Sequence, residues 1–255
     1  MFTGLIETVG EIKSFSPENK SAVIGVLPKT GDFKCKIGDS VAINGVCLTV
    51  EKINGGALFF RAVSETLSKT NLGSLKISQT VNLERAMPAN GRFDGHIVLG
   101  HIDTVAKIES VTNDGDSRLF WLSADEQYSK YIAKKGSVAV DGISLTVADV
   151  VGAYCLRPIS QNPEQGVCNT PLHNNGRCKF LISIIPHTFK NTTLANKKTG
   201  DSVNLECDVF ARYIERMLNV GANHHLPKTA GASRAKNVSP LQDKNLLGLL
   251  ERSGF

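Results

Sequence analysis

Long apolar runs are missing from this chain: no stretch approaches the roughly 18 uninterrupted apolar residues of a membrane-spanning helix. Its first residues, MFTGLIETVGEI, carry neither the basic segment nor the long apolar segment of a secretory signal. A soluble, untargeted, cytoplasmic protein with no membrane partner is the expectation. Blocks of like charge are missing too, because 29 Lys and Arg stand against 24 Asp and Glu and the net +5 is spread along the sequence, which permits nucleic-acid binding without arguing for it. Aromatic residues make up 6% of the chain, with one tryptophan, Trp121. A stacking platform for single-stranded nucleic acid is therefore poorly supplied, and no nucleic-acid partner is expected. No C-x-x-C pair occurs among the six cysteines, Cys35, Cys47, Cys155, Cys168, Cys178 and Cys207, which read as reduced thiols. Cys155, Cys168, His173 and Cys178 follow one another at 13, 5 and 5 residues, without the paired ligands of zinc-finger patterns, so no metal is expected. With 41% hydrophobic and 21% charged residues, the composition is that of an ordinary globular protein.

What is present is a repeat. SVAINGVCLTV at 40–50 matches SVAVDGISLTV at 137–147, 97 residues on, and GLIETVGEI at 4–12 matches GHIDTVAKI at 100–108, 96 residues on. Farther along, ETLSKTNL at 65–72 meets HTFKNTTL at 187–194, and TVNLE at 80–84 meets SVNLE at 202–206, both at 122 residues. The second copy thus carries 25 extra residues, and the Pro-, Asn- and Gly-rich stretch 154–178, which has no apolar period, predicts an inserted surface loop. The expected organisation is a first unit at 1–90, a second at 91–208, a helix at 209–220 and a mostly mobile tail at 221–255.

Within each copy the local code is β. The β-branched runs flank Asn44-Gly45 and Asp141-Gly142, dipeptides suited to two-residue type I′ hairpins because both central residues take positive φ. Period-two alternation then puts Cys47 and Thr49 on one face and Val46, Leu48 and Val50 on the other, with Ser144 and Thr146 paired in the same way. Short strands with Gly and Asn punctuation predict a mainly β protein of two tandem antiparallel barrels, closed to hide their edges. Ser123 as a cap, Glu126 at the third position and Gly136 at the end predict a short helix over 123–136. Asp208 as a cap, followed by Val209, Tyr213 and Met217 and by Ile214 and Leu218, predicts an amphipathic helix whose apolar face packs on another subunit.

Taken together, MFTGLIE, NGVCLTV, ETLSKTNLG, VNLERA, GHIVLGHIDT, DGISLTV, IPHTFKNTTL and VNLECD, ordered and duplicated in phase up to about Leu218, closely resemble riboflavin synthase of the two-barrel type. The resemblance implies Greek-key barrels that each hold one 6,7-dimethyl-8-ribityllumazine. A four-carbon unit would pass between the two molecules, giving riboflavin and 5-amino-6-(ribitylamino)uracil without metal or organic cofactor. It also implies a homotrimer with active sites between neighbouring subunits, and an association with lumazine synthase. The stretch 154–178 departs from the family, which has a short connection there.

By the same resemblance one pocket is lined by Gly4, Leu5 and Ile6, by Cys47, Leu48 and Thr49, and by Arg61, Ala62, Val63, Ser64, Glu65 and Thr66. The other is lined by Gly100, His101 and Ile102, by Ser144, Leu145 and Thr146, and by Ile185, Pro186, His187, Thr188, Phe189 and Lys190, with Lys135 reaching in. Ser40 joins the substrate-binding set. The copies differ where Leu5 answers His101 and Cys47 answers Ser144. His101 and Ser144, with Cys47 across a subunit contact, are therefore expected to manage protons as the C7 methyl of one lumazine attacks the other. Asp208 is read both as a helix cap and as a site residue, and His96 as structural. The plain readings stand beside these: Cys47 as a small buried hydrophobe and the two threonines as β-formers. A non-catalytic lumazine- or flavin-binding antenna protein is the competing function, against which stand the polar residues kept in both halves.

Overall fold

A computed structural model describes residues 1–151 and 176–224, with side chains described up to 218. Residues 154–175 of the expected loop and the tail beyond 224 lie outside them, as do Cys155, Cys168 and His173. The first barrel closes in the order β1 (Thr8–Glu18), β2 (Ser21–Pro28), β5 (Ala57–Val63), β4 (Val46–Asn54), β3 (Ser40–Ile43) and β6 (Thr80–Arg85). The second repeats that order with β7 (Thr104–Asp114), β8 (Ser117–Asp125), β11 (Arg177–Ile184), β10 (Ile143–Val151), β9 (Ser137–Val140) and β12 (Ser202–Cys207). All the pairings are antiparallel, so the chain is mainly β with two closed six-stranded barrels in tandem. Register shifts between Ile12 and Ser14 and between Val50 and Lys52 recur between Ile108 and Ser110 and between Val147 and Asp149. Such bulges bend and twist strands, and here the duplicated sequence repeats its bends along with its strands.

The turns behave as the dipeptides demand: Asn44 and Gly45 have φ of 46° and 80°, Asp141 and Gly142 of 46° and 79°. On β4 the residues alternate with Val46, Leu48 and Val50 buried, Cys47 half-buried and Thr49 exposed, and on β10 Ile143, Leu145 and Val147 are buried while Ser144 and Thr146 face out. Inside the barrels the core is aliphatic and phenylalanine-rich, built around Phe60 in the first and around Phe120 and Phe180 in the second. A third cluster, Phe2, Ala42, Val98 and Ala139, joins the halves.

The helix expected at 123–136 is not there. Ser123 lies in β8, paired with Lys107 and Lys179 on its two sides, and its hydroxyl donates to Glu109 at 2.6 Å instead of capping. Two-sided strand pairing overrides the local cap signal, and only a 3-10 turn, Glu126–Tyr131, follows, capped by Asp125 through a 3.1 Å bond from the Gln127 N–H. Arg177 and Cys178, included in the expected loop, are likewise the first residues of β11. Short helices α1 (Ser64–Lys69) and α2 (Pro186–Asn191) close β5 and β11. After β12, Asp208 Oδ1 accepts the Phe210 N–H at 2.9 Å and starts α3 (Val209–His224). Among the described residues no helix is long and apolar enough to cross a membrane.

Candidate functional site

The two hairpin turns stand back to back. A Cβ placed on Gly45 would meet the Gly142 nitrogen at 2.7 Å, and one on Gly142 would meet that of Gly45 at 2.7 Å. This contact marks a pseudo-twofold axis, and a buried polar network surrounds it. Asn82 Nδ2 donates to the Asp141 carbonyl and Asn204 Nδ2 to the Asn44 carbonyl, at 2.9 and 2.8 Å. In return Asn44 Oδ1 accepts the Asn82 N–H at 2.8 Å, and Asp141 Oδ1 the Asn204 N–H at 2.7 Å. The symmetry is broken by charge, since Asp141 is fully buried and meets Lys197 Nζ at 3.2 Å, where the first copy has Asn44 and Leu75. Burial pushes the Asp141 carboxyl up, and Lys197, the Asn204 N–H and Asn71 oppose that.

About this axis the halves exchange their entering segments. The Gly4 carbonyl accepts the Ser144 N–H at 2.8 Å, and the Gly100 carbonyl accepts the Cys47 N–H at 3.0 Å. Ile6 packs on the core of the second barrel, as Phe189 does; Ile102 packs on that of the first, as Leu67 does. Gly4, Leu5 and Ile6 thus accompany Ser144, and Gly100, His101 and Ile102 accompany Cys47, the reverse of the grouping expected from sequence. Both glycines are required, because φ is 77° at Gly4 and 81° at Gly100, and a Cβ there would lie 2.6 Å from Ser144 Cβ and 2.5 Å from Cys47 Cβ.

A glutamate from each VNLE block holds each segment. Glu84, 4% exposed, accepts the Thr3 N–H at 2.6 Å, the Thr3 hydroxyl at 2.8 Å and the Gly4 N–H at 3.0 Å. Glu206, 2% exposed, accepts the N–H groups of Leu99, Gly100 and His101 at 2.7, 3.0 and 3.1 Å. Desolvation pushes the Glu84 carboxyl up, and its bonds from Thr3 and Gly4 oppose that. Neither glutamate is singled out in the sequence, although the repeat of VNLE was the available signal.

His96, read from sequence as structural, places Nδ1 2.7 Å from Ser144 Oγ. Burial pushes its pKa down, against the opposing charge of Asp208, and so favours the neutral imidazole. His101 is exposed, with its backbone tied to Glu206; among these contacts none joins it to Ser144. Cys47 is half-buried, and burial raises its pKa while Ser40 opposes the rise by hydrogen bonding. Asp208 serves as the cap of α3 and also lies where its charge acts on His96.

The remaining candidates gather at the barrel rims. Thr49 on β4 and Thr146 on β10 are exposed; at and around α1 and α2, Val63, Ser64, Glu65, Ile185, Pro186 and His187 are exposed and Thr66, Thr188 and Phe189 are half-buried. Ala62, Leu48 and Leu145 point into the cores. Arg61 is tied to Glu18 and to Glu51, the latter at 3.2 Å. Arg118 stacks on the Phe189 ring at 4.0 Å. Lys135 has φ of 68° where its counterpart is Gly38, at 91°, and the two make the same backbone bond, to Val147 and to Val50. A lysine held where glycine is favoured makes Lys135 a presented side chain. An open cleft of about 480 Å³ is bordered by Thr3, Leu5, Ser40, Glu84, Arg85 and Met87. A second, of about 460 Å³, lies among Ile6, Thr8, Lys29, His187, Lys190 and Thr193.

Comparison with known proteins places these features. The lumazine binding domain family matches residues 3–86 and 99–208. The riboflavin synthase of Photobacterium phosphoreum is 38% identical over 256 residues, covering all of this chain and 99% of that one. The riboflavin synthase of Actinobacillus pleuropneumoniae is 40% identical over 218 residues, covering 86% of this chain and 90% of its own. Among solved structures, LumP complexed with 6,7-dimethyl-8-(1'-D-ribityl) lumazine has a TM-score of 0.65 at 20% identity, covering 81% of this chain and 99% of that chain.

Proposed function

The chain belongs to the riboflavin synthase family, and with that as premise we propose how its residues carry the activity. Two molecules of 6,7-dimethyl-8-ribityllumazine dismutate to riboflavin and 5-amino-6-(ribitylamino)uracil. The products contain the atoms of the two substrates, so the transfer balances without an external oxidant or reductant. Two related sites suit such a reaction, because donor and acceptor are the same molecule held in opposite roles.

One site comprises Leu5, Ile6, Ser144, Thr146 and the rim at 185–190, with Lys135 and His96; the other comprises His101, Ile102, Ser40, Cys47, Thr49 and the rim at 61–66. The crossing of the two entering segments is the observation that carries this reading, since it seats Gly4, the neighbour of Leu5, against Ser144 and Gly100, the neighbour of His101, against Cys47. A neutral imidazole bonded to the Ser144 hydroxyl suits the removal of a proton from the C7 methyl. Holding two reactants together contributes on its own about 7–11 kcal/mol.

Sites related by a twofold within one chain are opposed by assembling several chains. We place the first barrel of one subunit against the second of its neighbour in a cytoplasmic homotrimer. Support comes from α3, where Phe210, Tyr213, Ile214, Met217 and Leu218 are all more than half exposed, an apolar area of the kind that marks an interface. An association with lumazine synthase belongs to the same reading.

Purified protein incubated with 6,7-dimethyl-8-ribityllumazine alone is expected to yield one riboflavin per two substrates consumed, followed by absorbance. Tight binding without turnover would move the chain to the antenna class.

A further inference from the structure

The two partners of the His96–Ser144 bond come from different parts of the chain, and both hang from one dipeptide. His96 donates its backbone N–H to the Thr3 carbonyl at 3.2 Å, and Ser144 donates its own to the Gly4 carbonyl at 2.8 Å. Thr3 and Gly4 are in turn fixed by Glu84, which takes both of their N–H groups and the Thr3 hydroxyl. Each link is a buried or half-buried hydrogen bond, three of them charge-assisted and so of the stronger kind. The carboxylate touches neither member of the pair.

We propose that Glu84 is a positioning residue for the His96–Ser144 pair, setting imidazole and hydroxyl at bonding distance through adjacent carbonyls. Glu206 is the internal comparison. It holds Leu99, Gly100 and His101 in the same way, and Gly100 holds Cys47, whereas His96 and Ser144 hang from Thr3 and Gly4. Two structurally equivalent glutamates therefore have separable effects on one histidine. The proposal rests on the reading of Ser144 and His96 as site residues, yet its main readout does not require turnover.

The test follows the His96 imidazole by NMR titration in the full-length protein, with His96→Gln to assign its signal, in parent, E84Q and E206Q. An amide cannot accept three donors as the carboxylate does, so in E84Q the pair loosens and water reaches the ring. Its pKa is expected to rise by about half a unit or more, toward the ordinary value near 6.5. Asp208, whose charge also acts on His96, is unchanged in both variants. In E206Q the His96 titration is expected to stay within about 0.2 units of the parent. In steady state E84Q is expected to lower kcat by about tenfold with KM within about twofold, the mark of an interaction used in the transition state. An unshifted His96 titration in a folded E84Q would overturn the proposal, as would an equal shift in E206Q. Should E84Q not fold, Thr3→Val removes one of the three bonds to Glu84 and keeps both backbone donors. A smaller shift in the same direction is then expected, and none would overturn it. A parent that makes no riboflavin would sink the functional reading instead and leave the titration result standing.

Discussion

Gly100→Ala is expected to lose about a hundredfold or more in kcat/KM, as misplacement of site groups by about 1 Å can cost that much. Two effects combine. Gly100 sits at φ 81°, and a side chain in such a conformation costs about 1–2 kcal/mol. The added Cβ would also lie 2.5 Å from Cys47 Cβ, 2.9 Å from its nitrogen and 3.1 Å from its Cα, so the hairpin backbone itself has to move and the 3.0 Å bond from the Cys47 N–H to the Gly100 carbonyl is strained. Gly4→Ala should do the same at Ser144, where the nearest atoms lie at 2.6 and 2.7 Å. Gly38→Ala separates the two effects. It shares the positive φ, at 91°, but an added Cβ meets nothing within 4 Å, so stability falls by about 1–2 kcal/mol while activity holds. Steady-state kinetics of the three variants, with urea unfolding as the control, decide the matter. A Gly100→Ala enzyme within a few-fold of the parent would mean that the contact with Cys47 does not shape the site.

The second large effect concerns the axis. Lys197→Leu leaves Asp141, fully buried, without its cation, and breaking a buried pair from one side costs about 3–5 kcal/mol. The first copy shows how the same position works without charge, because Asn44 accepts the Asn82 N–H as Asp141 accepts that of Asn204, and Leu75 stands where the second copy has Lys197. The double variant Asp141→Asn, Lys197→Leu installs that neutral pair. It should recover all but about 1 kcal/mol of the loss, a strongly non-additive result that a double-mutant cycle in urea reads directly. Additive losses would show that the ion pair is not what distinguishes the two halves.

Much of the fold was legible because it is written locally and twice. Asn44-Gly45 and Asp141-Gly142 set the hairpins, and the alternation after them puts Cys47, Thr49, Ser144 and Thr146 on the outer faces, as observed. The 3-10 turn at Glu126–Tyr131 was not legible as such, since a serine cap in isolation does not reveal that Ser123 is paired on both sides. The partners of the candidate residues were not legible. Nothing in the period of GLIET or GHIDT says on which barrel the segment rests; that is decided at the axis by two glycines on each side, with room for a backbone and none for a Cβ. His96 escaped for another reason. It lies ahead of the block GHIDTVAKI that matches GLIETVGEI, and comparison of the copies weighs only matched blocks.

A crystal structure of the full-length protein with lumazine or riboflavin bound tests most directly whether each site is built across the two copies. One ligand is expected beside Leu5, Ile6, Ser144 and Thr146, and the other beside His101, Ile102, Cys47 and Thr49. A ligand bound between Leu5 and Cys47, or between His101 and Ser144 of one chain, would contradict the crossed arrangement.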